Sequence, residues 1–240
     1  MKKIKKFVTN VAHQQCDTGD KILYPFGPPI FQTEVDEEFV KELIDEGKKL
    51  KDEDDWSMKL AGNFKQGRSF KYKEEFTFKA EKYLLGYLNR FIDNLHKFNS
   101  KDWISHMTEV PIGMRKYAQG EYFLDALWIN YQYKNDFNTQ HIHSGKWSFV
   151  IFCKVPEKIF SVQANSNSQQ AGEIVFSFGD KVSEAMSTNL PVKPFENLMF
   201  IFPSNLEHYV PPFWVDEERI SVSGNFLVKP KKVGKRIVSF

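Results

Sequence analysis

The chain has 240 residues, 33 basic and 31 acidic side chains for a formal charge of +2, and 41% hydrophobic residues. A chain of this size buries about 70–75% of its extended surface on folding, which excludes the collagen-like, disordered and mini-protein classes. The balanced charge makes no field suited to a polyanion, so nucleic acid is not expected as a partner.

The N-terminus opens with Lys2, Lys3, Lys5 and Lys6, but Thr9, Asn10, His13, Gln14 and Gln15 follow where a signal peptide needs an apolar stretch. The apolar runs Ser148–Cys153 and Leu198–Pro203 fall well short of the ~18 residues of a spanning helix. No membrane segment is expected, and the expected location is the cytoplasm. Cys16 and Cys153 form no CxxC pair and read as free thiols, with Cys153 buried.

Residues 1–35 contain Tyr24-Pro25-Phe26-Gly27-Pro28-Pro29 and read as an extended arm on the core. Its stretch Ile22 to Ile30 is available to swap between the subunits of a homodimer. Phe39, Val40, Leu43, Ile44, Gly47 and Leu50 recur at helical spacing behind the acidic start Asp36, Glu37 and Glu38. A longer stripe, Ala80, Tyr83, Leu84, Tyr87, Leu88, Phe91, Ile92, Leu95 and Phe98, predicts a second helix with an apolar core face.

From about residue 107 the period becomes strand-like, with candidates at 109–118, 122–133, 139–144, 147–155, 172–178, 197–202, 207–210 and 219–228. Gln163 to Gln170 reads as an exposed loop. The fold class expected is α+β, mainly β: a jelly-roll barrel with N-terminal helices packed on one face. The helical part covers 36–106 and the β core 107–228, which together make one domain. Residues 229–240 form a basic tail with Lys231, Lys232, Lys235 and Arg236.

The chemistry lies in three of the six histidines. On a strand, His141 and His143 project to one face while Ile142 packs away, and two neutral imidazoles on one face suit a metal. An isolated HxH is as readily a pair of surface or hydrogen-bonded histidines. His208, 65 residues past His143, begins a further short strand that a jelly roll can place beside the first. Eleven residues later, alternation puts Arg219, Ser221, Ser223 and Asn225 on one face and Ile220, Val222 and Phe226 on the other. Only five of the basic residues are arginine. A charged, hydroxyl-rich face inside an apolar barrel is costly unless an anion binds there, and Arg219 with Ser221 can hold a carboxylate.

His141-x-His143, His208 and Arg219-x-Ser221 together resemble the iron(II)- and 2-oxoglutarate-dependent oxygenases. That family is built on a double-stranded β-helix, with an HxD or HxE pair, a distal His, and an Arg or Lys often found as RxS. The stretches Leu60-Ala61-Gly62-Asn63, Phe137-Asn138, Ser148-Phe149-Val150, Phe202-Pro203-Ser204 and Ser223-Gly224-Asn225 are similar to members carried by tailed phages and distantly related to prolyl hydroxylases. The resemblance covers most of residues 20–228. It implies Fe(II), 2-oxoglutarate and O2 as cofactors and cosubstrates, with His141, His143 and His208 on the metal. Arg219 and Ser221, aided by Tyr131 or Tyr133, hold the distal carboxylate. The implied reaction hydroxylates a peptidyl or protein side chain, releasing succinate and CO2. Loops 53–72, 160–171 and 179–196 are the expected substrate contacts.

The sequence departs from the pattern at His143, where the broad family has a carboxylate. The nearby acids are Asp136 and Glu207, and Glu207 is expected to point away from His208. Trp128, Trp147, Phe149 and Phe176 serve as core or as a water-excluding wall. Three rival readings stand beside the oxygenase: a cupin-type metal protein, a zinc hydrolase with a three-His site, and a structural jelly roll in which Arg219 pairs with Glu217 or Glu218 on the surface.

Overall fold

The computed structural model describes residues 13–15, 20–23, 28–100, 121–160, 170–180, 188–229, 231–233 and 236–238. The expected strand at 109–118, Cys16 and the loop 163–169 lie outside these residues.

Two antiparallel sheets face each other. The larger holds eight strands, in spatial order β1 (His13–Gln15), β2 (Lys21–Leu23), β3 (Ile30–Glu34), β11 (Leu198–Pro203), β8 (Trp147–Lys154), β13 (Arg219–Val228), β6 (Tyr122–Gln132) and β5 (Arg68–Lys71). The smaller runs β10 (Asn189–Val192), β9 (Ile174–Ser177), β12 (Glu207–Val210), β7 (Phe137–His141) and β4 (Gly62–Asn63). A separate hairpin pairs β14 (Lys231–Val233) with β15 (Arg236–Val238), so the basic tail carries structure of its own.

The α-helices among the described residues are α1 (Glu37–Gly47) and α2 (Glu74–Ser100). Phe39, Val40 and Leu43 of α1, with Ala80, Leu84, Leu88, Phe91 and Leu95 of α2, form one apolar cluster with Leu127, Ile129, Trp147, Phe149, Ile151, Met199, Ile201 and Val222 of the larger sheet. Strand alternation sends the remaining residues of β8 and β11 the other way. Val150, Phe152, Leu198, Phe200 and Phe202 pack with Ile174, Phe176, Leu190 and Val210 of the smaller sheet. Both faces of β8 and β11 are therefore covered, which accounts for their near-continuous apolar sequence. Truncating a ring such as Phe91, 0% exposed, to alanine costs about 3–5 kcal/mol. Gly47 lets α1 approach the sheet, since a Cβ there would fall 2.5 Å from Ile129 Cδ1.

Three expectations need correction. The arm of residues 1–35 is partly built into the sheet, because Ile30–Glu34 supplies β3 and pairs with β11. The segment 53–72 contains strands β4 and β5, whose two to four residues are too short to show a period. Tyr83 is 52% exposed and stacks on Phe39 at the helix margin instead of entering the core.

Candidate functional site

His208 lies directly across from His141 in the β12–β7 register, with ring centroids 4.3 Å apart. Between His208 and Val210 that register slips, because three steps of β7 oppose two of β12. A bulge of this kind re-aims side chains, so Asn138 and His141, an odd number of residues apart, both line the same cleft. Simple alternation would have separated them.

His143 lies beyond the end of β7, not within a strand as expected. Its ring nevertheless reaches the other two, with Nε2 3.1 Å from His208 Nε2. One ligand atom from each of His141, His143 and His208 lies within 4.8 Å of the other two. His141 Nδ1–H points to the Thr139 carbonyl at 2.6 Å and His208 Nδ1–H to the Leu206 carbonyl at 2.9 Å. These bonds fix both tautomers and leave each Nε2 lone pair facing the cleft, the arrangement a metal-ligating histidine needs. Burial lowers the pKa of all three, that of His143 to about 4, so all are neutral at pH 7.

The two nearby acids are committed elsewhere. Asp136 is fully buried and accepts backbone N–H bonds from Lys65, Gly67 and Tyr133 at 2.7–2.9 Å. Glu207 faces outward and accepts from the Gln140 amide at 2.5 Å. The three-atom cluster is therefore all imidazole, and the residues present fit a borderline divalent transition metal.

At the other end of the same cleft Arg219 is 1% exposed. One of its terminal nitrogens donates to Gln132 Oε1, the guanidinium lies 5.2 Å over the Phe152 ring, and Nε has no hydrogen-bond partner among the described residues. Burial draws its pKa down to about 10. Gln132 is held in turn, donating to Asn138 Oδ1 at 2.8 Å. Asn130 and Ser221 are cross-strand partners on the cleft wall, and Ser69 donates to Asn130 Oδ1 at 2.7 Å. A buried, orphaned guanidinium N–H beside a hydroxyl and an amide fits a carboxylate.

The predicted tyrosines are not in this cleft. Tyr131 alternates to the helix side, where it joins the α1–α2 cluster, and its buried hydroxyl has no hydrogen-bond partner among the described residues. Tyr133 donates to Glu218 Oε1 at 2.6 Å. The surface pairing of Arg219 is also overturned, because Glu218 takes Tyr133 and Lys154 while Glu217 takes Lys158. Asn130, Gln132 and Asn138 were missed, although two amides in the apolar run of β6 were a visible signal. Trp128 packs on His143 at 5.6 Å, and Leu60 and Ala61 bring the 53–72 segment to the cleft.

No curated protein sequence matches the chain. Among solved structures it is similar to a 2OG-Fe(II) oxygenase family protein from Burkholderia pseudomallei, 18% identical over 45% of either chain with a TM-score of 0.32. It is also similar to a Pseudomonas putida prolyl-4-hydroxylase, 13% identical over 83% of this chain and 92% of that one, TM-score 0.46. The epimerase SnoN from nogalamycin biosynthesis is 11% identical over 84% and 79%, TM-score 0.47. Residues 126–225 match the sequence model of the family described as "Putative 2OG-Fe(II) oxygenase", a span that holds His141, His143, His208 and Arg219. Over this segment the chain is similar to the 2OG-Fe(II) oxygenase family.

Proposed function

We propose that the cleft is the catalytic centre of an Fe(II)- and 2-oxoglutarate-dependent hydroxylase, and that the two facing sheets form a double-stranded β-helix within a single domain whose larger sheet takes in β3 ahead of the residues 36–228 expected from the sequence. The observation that carries this reading is the convergence, in a single cleft, of three neutral imidazoles and one buried arginine that has no acidic partner among the described residues. His141, His143 and His208 hold the metal. Arg219 holds the distal carboxylate of 2-oxoglutarate, with Asn130 and Ser221 as neighbouring polar contacts in place of a tyrosine. The bound metal and cosubstrate supply oxidative decarboxylation: 2-oxoglutarate, O2 and a substrate C–H give succinate, CO2 and C–OH.

The chain's own residues supply orientation and dryness. The Thr139 and Leu206 carbonyls aim two of the ligands. Gln132 and Phe152 hold the arginine in place before a ligand arrives. Phe149, Val150, Phe152 and Phe202 line the walls and keep bulk water from the charged end, which strengthens the carboxylate–guanidinium pair.

The proposed substrate is a peptidyl or protein side chain. Met58 and Ile142, 95% and 55% exposed, lie within two residues in sequence of the cleft residues Leu60 and His141, and exposed apolar side chains close in the chain to a cleft suit an extended segment presented from outside. The test is conversion of 2-oxoglutarate to succinate by the Fe(II)-loaded protein under air, followed by mass spectrometry of peptide pools for the gain of one oxygen atom. Turnover that is lost in His208→Ala and stimulated by peptide supports the reading. Equal turnover in His208→Ala overturns it.

A further inference from the structure

The three histidines are not held alike. His141 and His208 sit on paired strands, each with its second ring nitrogen on a carbonyl, whereas His143 lies past the end of β7. What holds its backbone is the turn after β11. His143 N–H donates to the Ser204 carbonyl at 2.8 Å, and Ser204 N–H donates back to the Lys146 carbonyl at 3.2 Å. Lys146 N–H in turn donates to the Phe226 carbonyl at 2.8 Å. Gly145 makes the fold-back with φ +103°, where a Cβ would lie 2.9 Å from the Phe226 carbonyl oxygen.

Ser204 is itself anchored through its side chain. Ser148 Oγ lies 2.9 Å from Ser204 Oγ and 2.8 Å from Asn225 Oδ1. An amide oxygen only accepts, so the Ser148 proton goes to Asn225 and the Ser148 lone pair takes the proton of Ser204. Ser148, Ser204 and Asn225 are 1%, 1% and 7% exposed, so none of these groups can exchange its partner for bulk water. The chain of bonds joins β13, β8 and the β11–β12 turn to the backbone of one candidate ligand.

We infer that Ser148, Ser204 and Asn225 are positioning residues that set the place of His143, and through it the affinity and geometry of the metal site. The inference rests on the metal reading above. It differs from a general packing role because the network leads, through the Ser204 carbonyl, to the backbone N–H of His143. Outer-sphere partners of this kind change metal affinity by about 10–100-fold when removed.

The test uses the full chain and Co(II), whose visible ligand-field bands report coordination as well as affinity. Ser148→Ala is expected to weaken Co(II) binding about 10–100-fold, to alter the band intensities, and to raise the amide exchange rate of His143 in the metal-free protein. Ser204→Ala, which removes the buried hydroxyl at the turn end of the network, is the second variant and is expected to act in the same direction. Thr33→Val, which removes a buried hydroxyl bonded to Asp20 on β3, is the control that lowers the melting temperature without either change. Wild-type binding with unchanged Co(II) affinity and His143 exchange in both serine variants overturns the positioning role alone. A wild-type protein that takes up no Co(II) overturns the metal reading and the inference with it.

Discussion

Arg219→Met separates a cofactor-binding arginine from a structural one. Burial draws the guanidinium down to about 10, and at about 1.4 kcal/mol per tenfold this is a penalty of about 3 kcal/mol for keeping an uncompensated charge in the core. The variant removes that penalty and loses the bond to Gln132 and the contact over Phe152, together worth about 2–4 kcal/mol. The terms nearly cancel, so the cofactor-free variant should unfold within about 1–2 kcal/mol of wild type. Binding a dicarboxylate is different, because the lost charge-assisted pair is worth about 3 kcal/mol, or about 100-fold in Kd. Urea unfolding without ligand, paired with calorimetric titration of 2-oxoglutarate into the Co(II)-loaded protein, measures both quantities. A variant that is 4 kcal/mol or more less stable and still binds 2-oxoglutarate normally would refute the reasoning and make Arg219 a core residue.

Asp136→Ala leaves three short backbone N–H bonds without an acceptor and should cost about 3–5 kcal/mol in urea unfolding, while Co(II) affinity stays unchanged; a lost metal site would make Asp136 the missing carboxylate ligand. The metal-free protein should lose stability on acidification. His143 falls from its ordinary value to about 4 on folding, so the unfolded chain binds the extra proton, and stability present above pH ~6.5 declines by up to about 3 kcal/mol toward pH 4. A urea midpoint that stays flat across that window would contradict the burial argument. Gly145→Ala forces a Cβ against the Phe226 carbonyl at positive φ and should cost about 2 kcal/mol or more, read as a lower melting temperature together with weaker Co(II) binding.

The parts of this fold that were legible in the sequence are those whose side chains repeat. The α2 stripe and the apolar runs of β8 and β11 stand out because whole faces are buried, and the alternation of Arg219, Ser221, Ser223 and Asn225 matches the β13 face that meets the smaller sheet. Short strands such as β4 and β5 were not legible, since two to four residues contain no period. Within the site, His141, His143, His208 and Arg219 were visible as residue types, but their support was not. The β7 bulge breaks the alternation that would have located Asn138, and the strand parity of β6 turns Tyr131 toward the helices and Asn130 and Gln132 toward the cleft. The Ser148–Ser204–Asn225 network joins three elements distant in the chain, so no local pattern announces it.

The central claim is tested most directly by anaerobic visible absorption of the metal-free protein titrated with Fe(II) and then 2-oxoglutarate. A weak charge-transfer band that needs both additions, and is lost in His208→Ala, is the predicted result. Fe(II) binding without any band on addition of 2-oxoglutarate would contradict it.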